Sequence, residues 1–143
     1  MEQRKTTIEK SLGGLAIEAL NRTSKTLLGE IYTSIAPYKL TLSQYGILEA
    51  LYRIGPMFQT ELAGQILTTA GNLTLVIDNL EKGKLVERKT VEDRRYYTIY
   101  LTPKGRRLIK KVYPLRSTHD DTLMKKLTKA EKEKLIQLCE KLI

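Results

Sequence analysis

The feature that most constrains this chain is a change of apolar period between residues 40 and 105. Apolar residues recur at helical spacing through Leu48, Leu51 and Tyr52, again through Leu62, Ala63, Ile66 and Leu67, and again through Leu73, Val76, Ile77 and Leu80. The period then drops to two, with Tyr97, Ile99 and Leu101 alternating against Tyr96, Thr98 and Tyr100. The spacing therefore predicts three short helices followed by a two-stranded finger. The punctuation agrees. Thr41 and Gln44 are spaced for a capping box, with Leu40 placed to staple against Tyr45. Gly55 and Pro56 stop the first helix, Leu67, Thr68 and Thr69 turn between the second and third, and Gly83 or Lys84 closes the third. Phe58 stands where a polar cap of the second helix is expected. Residues 85–90 begin the finger, and Thr102, Pro103, Lys104 and Gly105 end it and cap a basic helix.

Longer helices flank this region. Ile8, Leu12, Leu15, Ala16, Leu20, Leu27, Leu28, Ile31 and Ile35 keep helical spacing up to Pro37, although Gly13 and Gly14 weaken the first third. After the finger come Leu108, Ile109, Val112 and Leu115, and from about Lys129 a last helix carries Leu135, Leu138, Cys139 and Leu142. These apolar stripes are too long for a 65-residue lobe to cover, so they are expected to pair across a two-fold axis. The organisation read here is one domain over residues 1–143. Residues 37–105 form a central lobe, and residues 1–36 and 106–143 form a helical dimerisation region.

With 143 residues, 41% hydrophobic and 29% charged, the composition fits one soluble globular domain. No window approaches the roughly 18 apolar residues of a membrane span, and the first ten residues hold no apolar signal core, so a cytoplasmic protein without membrane contact is expected. One cysteine and one histidine permit neither an intrachain disulfide nor a Cys/His zinc site. Cys139, between Leu138 and Leu142, reads as a buried structural thiol, and His119, Asp120 and Asp121 as a solvated helix face. No glycine-rich phosphate loop, paired carboxylates or nucleophile–base set appears, so no catalysis and no cofactor are expected. The net charge is +9, of which residues 1–40 contribute +2, residues 41–105 contribute +1 and residues 106–143 contribute +6. Such a surplus predicts an anionic partner.

Two helices joined by a tight turn and followed by a hairpin give the order of a winged helix-turn-helix, mainly α with a small β-hairpin wing. The second helix of such a pair enters the DNA major groove. That assigns a role to Thr68, Thr69, Gly71, Asn72, Thr74, Leu75 and Asn79. Asn72 suits bidentate pairing with adenine, the threonine hydroxyls suit bases or phosphates, and Leu75 suits a thymine methyl. Gly71 removes bulk where the backbone comes close. On the wing, Arg94 and Arg95 suit the adjacent minor groove, Asp93 is placed to pin one of them, and Arg88 and Lys89 precede them on the first strand. Gln59, Thr60, Arg106 and Arg107 are expected at phosphates.

The stretch from Leu40 to Gly105 resembles the MarR (multiple antibiotic resistance regulator) family, most closely in IDNLEKGKLVER and in the D-x-R…LT-x-x-G pattern at Asp93, Arg95, Leu101, Thr102 and Gly105. The resemblance implies an obligate homodimer built from the terminal helices, two DNA-binding lobes, and a palindromic double-stranded DNA operator. It also implies, in many members, a small-molecule effector near the junction of lobes and dimer helices. The chain departs from the family pattern at Phe58, at Leu75, where a basic residue is common, and in the order of Gly83 and Lys84. It has no cysteine in its first helix, unlike members resembling hydroperoxide sensors, and no zinc-sensor ligand set. The function expected is a dimeric DNA-binding regulator, a repressor. The alternatives are a winged-helix module that binds protein and a sequence-independent architectural DNA binder.

Overall fold

The structure, a computed structural model, describes residues 9–66, 70–90 and 96–143, with the backbone alone at Ala70 and Gly71. Helix α1 spans Leu12–Ile35, started by Ser11, whose hydroxyl accepts from the Gly14 amide at 3.1 Å. Pro37 lies in a single 3-10 turn, Ala36–Tyr38, and Lys39 follows at φ 58°, turning the chain toward the next helix. Helix α2, Leu42–Arg53, begins with the expected capping box. The Gln44 amide donates to the Thr41 hydroxyl at 3.2 Å and the Thr41 amide to the Gln44 side chain at 3.0 Å. Gly55 ends this helix region at φ 108°, a left-handed conformation that favours glycine.

Then follow β1 (Met57–Phe58), α3 (Gln59–Gln65), α4 (Ala70–Lys82), β2 (Val86–Thr90), β3 (Tyr97–Leu101), α5 (Pro103–Leu123) and α6 (Lys129–Glu140). The finger is therefore not two-stranded at its base. The sheet order is β1-β3-β2, antiparallel throughout, and Ile99 pairs with Met57 on one side and Arg88 on the other. A two-residue strand has no period to read, which is why β1 escapes the sequence.

Lys84, not Gly83, takes the left-handed conformation that closes α4, at φ 56°. The corner is locked from the far side of the wing. The Thr102 amide donates to the Leu85 carbonyl at 3.1 Å and the Thr102 hydroxyl to the Lys84 carbonyl at 2.7 Å. That same hydroxyl accepts from the Gly105 amide at 3.0 Å and so caps α5. A Cβ at Gly105 would sit 1.9 Å from the Leu85 carbonyl oxygen, so this position admits only glycine without movement.

The core gathers Ile35 from the end of α1, Ile47, Leu48 and Leu51 from α2, Leu62, Leu73, Ile77 and Leu80 from α3 and α4, Ile99 from β3, and Ile109 and Val112 from α5. The terminal helices lie largely outside it. Leu12, Leu15, Ile17 and Leu20 on α1 are exposed, as are Leu135, Ile136 and Leu138 on α6, which buries no residue. Two sequence expectations are corrected here. Cys139 is exposed, on a helix that has no buried residue. The 119–121 stretch is only partly a solvated face. Asp121 is exposed, but Asp120 pairs with Arg116, and His119 is half-buried with its Nε2 enclosed and unpartnered. Helix α5 also passes through Pro114, and Leu115 is exposed while Arg116 takes the inward position after Val112.

Candidate nucleic-acid interface

Helix α4 is built to present one face. Leu73, Val76, Ile77 and Leu80 are buried, and this leaves Asn72, Thr74, Leu75 and Asn79 exposed, with Asp78 half-exposed beside them. Leu75 is 57% exposed and lies off the buried stripe. Gly71 lies in the first turn of α4. Thr68, Thr69, Asp93, Arg94 and Arg95 lie outside the described residues.

Helix α3 starts without a polar cap, yet half of the capping arrangement survives. The Glu61 carboxylate accepts from the Phe58 amide at 2.7 Å. The Phe58 ring instead meets the Tyr96 ring edge-on, at 6.3 Å between centroids, and so joins the start of α3 to the root of the wing. The departure from a polar cap thus exchanges one backbone hydrogen bond for an aromatic contact between two elements. Gln59, next in the chain, donates through Nε2 to the Thr74 hydroxyl at 2.9 Å, and Thr60 is exposed.

Arg88 is placed differently from the other predicted contacts. Its guanidinium bonds Asp78 at 2.6 Å and Glu81, both on α4, and lies 3.4 Å from the Thr74 carbonyl, while its amide donates to Glu81 at 2.9 Å. The sequence held a signal for this. Asp78 and Glu81 are three apart on one helix and therefore share a side of it. Lys89 is exposed, 3.0 Å from the Glu87 carboxylate and 4.7 Å above the Tyr100 ring. The structure thus gathers Gln59, Thr60, Thr74 and Arg88 with Phe58 and Tyr96 around one cleft of about 470 Å³ between α3, α4 and the wing. Arg106 and Arg107 are exposed on the first turn of α5 and do not line that cleft.

A second cleft, about 320 Å³, opens where α1, α2, α3 and α5 meet, lined by Leu28, Ile31, Tyr45, Glu49, Ile66 and Arg116 among others. Arg116 is only 8% exposed. Burial lowers its pKa, against the opposing pull of Tyr45 and Glu49. Burial, and next the Glu49 charge, push the Tyr45 phenol well above its ordinary value, so it stays protonated and able to donate. Arg116 falls four and seven residues after buried Val112 and Ile109, an apolar phase that a sequence reading assigns to packing.

Residues 40–97 match the model of the MarR family. The HTH-type transcriptional regulator YsmB of Bacillus subtilis (strain 168) is 32% identical over 125 residues, 87% of this chain and 80% of that protein. The protein belongs to the MarR family. A second regulator of the same organism, YkoM, is 33% identical over 100 residues, and the match covers 69% of this chain but 65% of YkoM, just under two thirds of that relative. The fold is shared with a mutant MarR from E. coli solved in complex with operator DNA, at a TM-score of 0.81 over 94% of this chain and 99% of that one, with 22% identity. MarR family relatives of this chain are transcriptional regulators, and no helix among the described residues is long and apolar enough to cross a membrane.

Proposed function

We propose that this MarR family protein is a homodimeric, sequence-specific DNA-binding repressor that acts in the cytoplasm by binding alone and releases a palindromic operator when a small molecule fills the Arg116 cleft. The observation that carries this reading is the outer face of α4, where Asn72, Thr74, Leu75 and Asn79 stand exposed on a helix held from behind by four buried apolar side chains. Such a face suits the major groove, where amide side chains read adenine and apolar ones read the thymine methyl. Thr68, Thr69 and Gly71 complete that face in this reading. Arg94 and Arg95 enter the minor groove, with Asp93 shaping the turn between the strands. Gln59, Thr60, Lys89, Arg106 and Arg107 serve phosphates. The E. coli neighbour seen on operator DNA supports the same use of the shared fold. A protein-binding module would have no use for a row of base-reading side chains.

The test is selection of duplexes from a random-sequence library by the full chain, followed by fluorescence anisotropy on the enriched duplex and a shuffled one. Enrichment of an inverted repeat bound about a thousandfold more tightly than the shuffled duplex is the expected result. Equal affinity for both would leave only sequence-independent binding, and no affinity for either would remove the DNA-binding reading.

A further inference from the structure

Arg88 lies in the strand that leads to the wing tip, where a cation facing DNA is expected, yet its side chain is only 17% exposed. The guanidinium fork is already occupied by two carboxylates of α4 and approaches the Thr74 carbonyl. Its amide is held by Glu81 at 2.9 Å, so backbone and side chain are fixed to the same helix. In the sheet, Arg88 pairs with Ile99, which pairs with Met57, so a single rung crosses all three strands and ends at this arginine. The same tie reaches α3, because Thr74 also accepts from Gln59 at 2.9 Å. Asp78 and Glu81 without a cation beside them would place two negative charges near the DNA-facing side of α4, repelling phosphates.

We propose that Arg88 is a positioning residue: it fixes the angle between the wing and the recognition helix α4, and operator discrimination depends on that angle, while Arg88 itself binds no phosphate. This rests on the DNA-binding function proposed above. Major-groove contacts from α4 and minor-groove contacts from the wing are rewarded together only when both elements hold one relative orientation, and a shuffled duplex offers mainly phosphates, which tolerate misalignment. Lysine keeps the charge but not the planar fork that binds two carboxylates at once.

The experiment compares the wild type with Arg88→Lys and Asp78→Asn on the library-enriched duplex and on its shuffled counterpart, over a series of salt concentrations. Asp78→Asn leaves Arg88 paired with Glu81, so it reports even if Arg88→Lys folds poorly, and melting curves establish that each variant is folded. Both variants are expected to lose about tenfold or more on the enriched duplex and little on the shuffled one, with the slope of log affinity against log salt unchanged. The sign for Asp78→Asn decides the matter. If Arg88 were a phosphate contact restrained by Asp78, removing that negative charge would tighten binding to both duplexes, and Arg88→Lys would leave the slope as it was. Tighter binding by Asp78→Asn overturns the proposal, as does wild-type discrimination in both variants, which would reduce the network to a local ion pair. Failure of the wild type to enrich any duplex is a separate result that removes the DNA-binding reading and this proposal with it.

Discussion

At Gly105 one missing methyl group decides whether the wing can close on α5. The Leu85 carbonyl lies where a Cβ would be, at 1.9 Å, and both sides of that contact are tied, since Thr102 bonds the Leu85 and Lys84 carbonyls and caps Gly105. Neither strand can retreat without giving up these bonds, so Gly105→Ala is expected to cost roughly 3 kcal/mol, at the upper end of overpacking effects. Urea unfolding at fixed protein concentration measures this, and a loss below about 1 kcal/mol would mean that the corner yields easily. The glycine was legible from the LT-x-x-G pattern, but its cause was not, because the obstructing carbonyl is twenty residues away in sequence. Lys84 shows the same limit. A lysine gives no hint that it will adopt φ 56°, since only the neighbouring carbonyl bonds require it there.

Helix boundaries followed the capping chemistry: the Thr41 and Gln44 box was legible, while the apolar spacing from Ile8 missed the Ser11 cap that starts α1 at Leu12. A capping box that the sequence reading did not name starts α6: the Thr128 amide donates to the Glu131 carboxylate at 2.7 Å and the Glu131 amide to the Thr128 hydroxyl at 3.3 Å. The Thr128 amide first, and its hydroxyl next, hold the Glu131 carboxyl below the usual carboxylate range. A carboxyl depressed in the folded state contributes stability above its unfolded pKa of about 4.3, and that contribution is lost as pH falls through the folded value. Glu131→Gln, which removes the titrating charge, is therefore expected to lower the melting temperature by about 2 °C at pH 7, with a smaller gap from wild type near pH 3. Circular dichroism melts at the two pH values check it, and a gap that widens in acid would contradict the linkage. What the sequence could not convey was three-dimensional pairing. Strand β1 exists because β3 has a second edge to fill, Arg88 is withdrawn from solvent because two carboxylates meet it across a turn, and Cys139 is exposed on a helix that buries no residue. The apolar face of α4 was readable, because it packs on its own lobe, and Asn72, Thr74, Leu75 and Asn79 were placed by that face alone.

Among the described residues, α1 exposes Leu12, Leu15, Ile17 and Leu20, and the C-terminal end exposes Leu135, Ile136, Leu138 and Leu142 at and just beyond α6. A second copy of the chain is the cover proposed for them. Light scattering is expected to give twice the chain mass at micromolar concentration, and Ile136→Asp with Leu138→Asp is expected to raise the dimer dissociation constant about thirtyfold or more. Chain-mass particles in the wild type would refute the assembly. If two lobes are joined in this way, the three-stranded rung of Met57, Ile99 and Arg88 acquires a further meaning. Strand β1 runs without a break into α3, and Arg88 ties β2 to α4, so both helices are joined to the described part of the wing. The protein then works as a caliper with stiff jaws. An effector wedged between α1, α5 and the lobe would not blunt a jaw but would reset the gap between them, away from the pitch of about 34 Å at which successive major grooves face the same way.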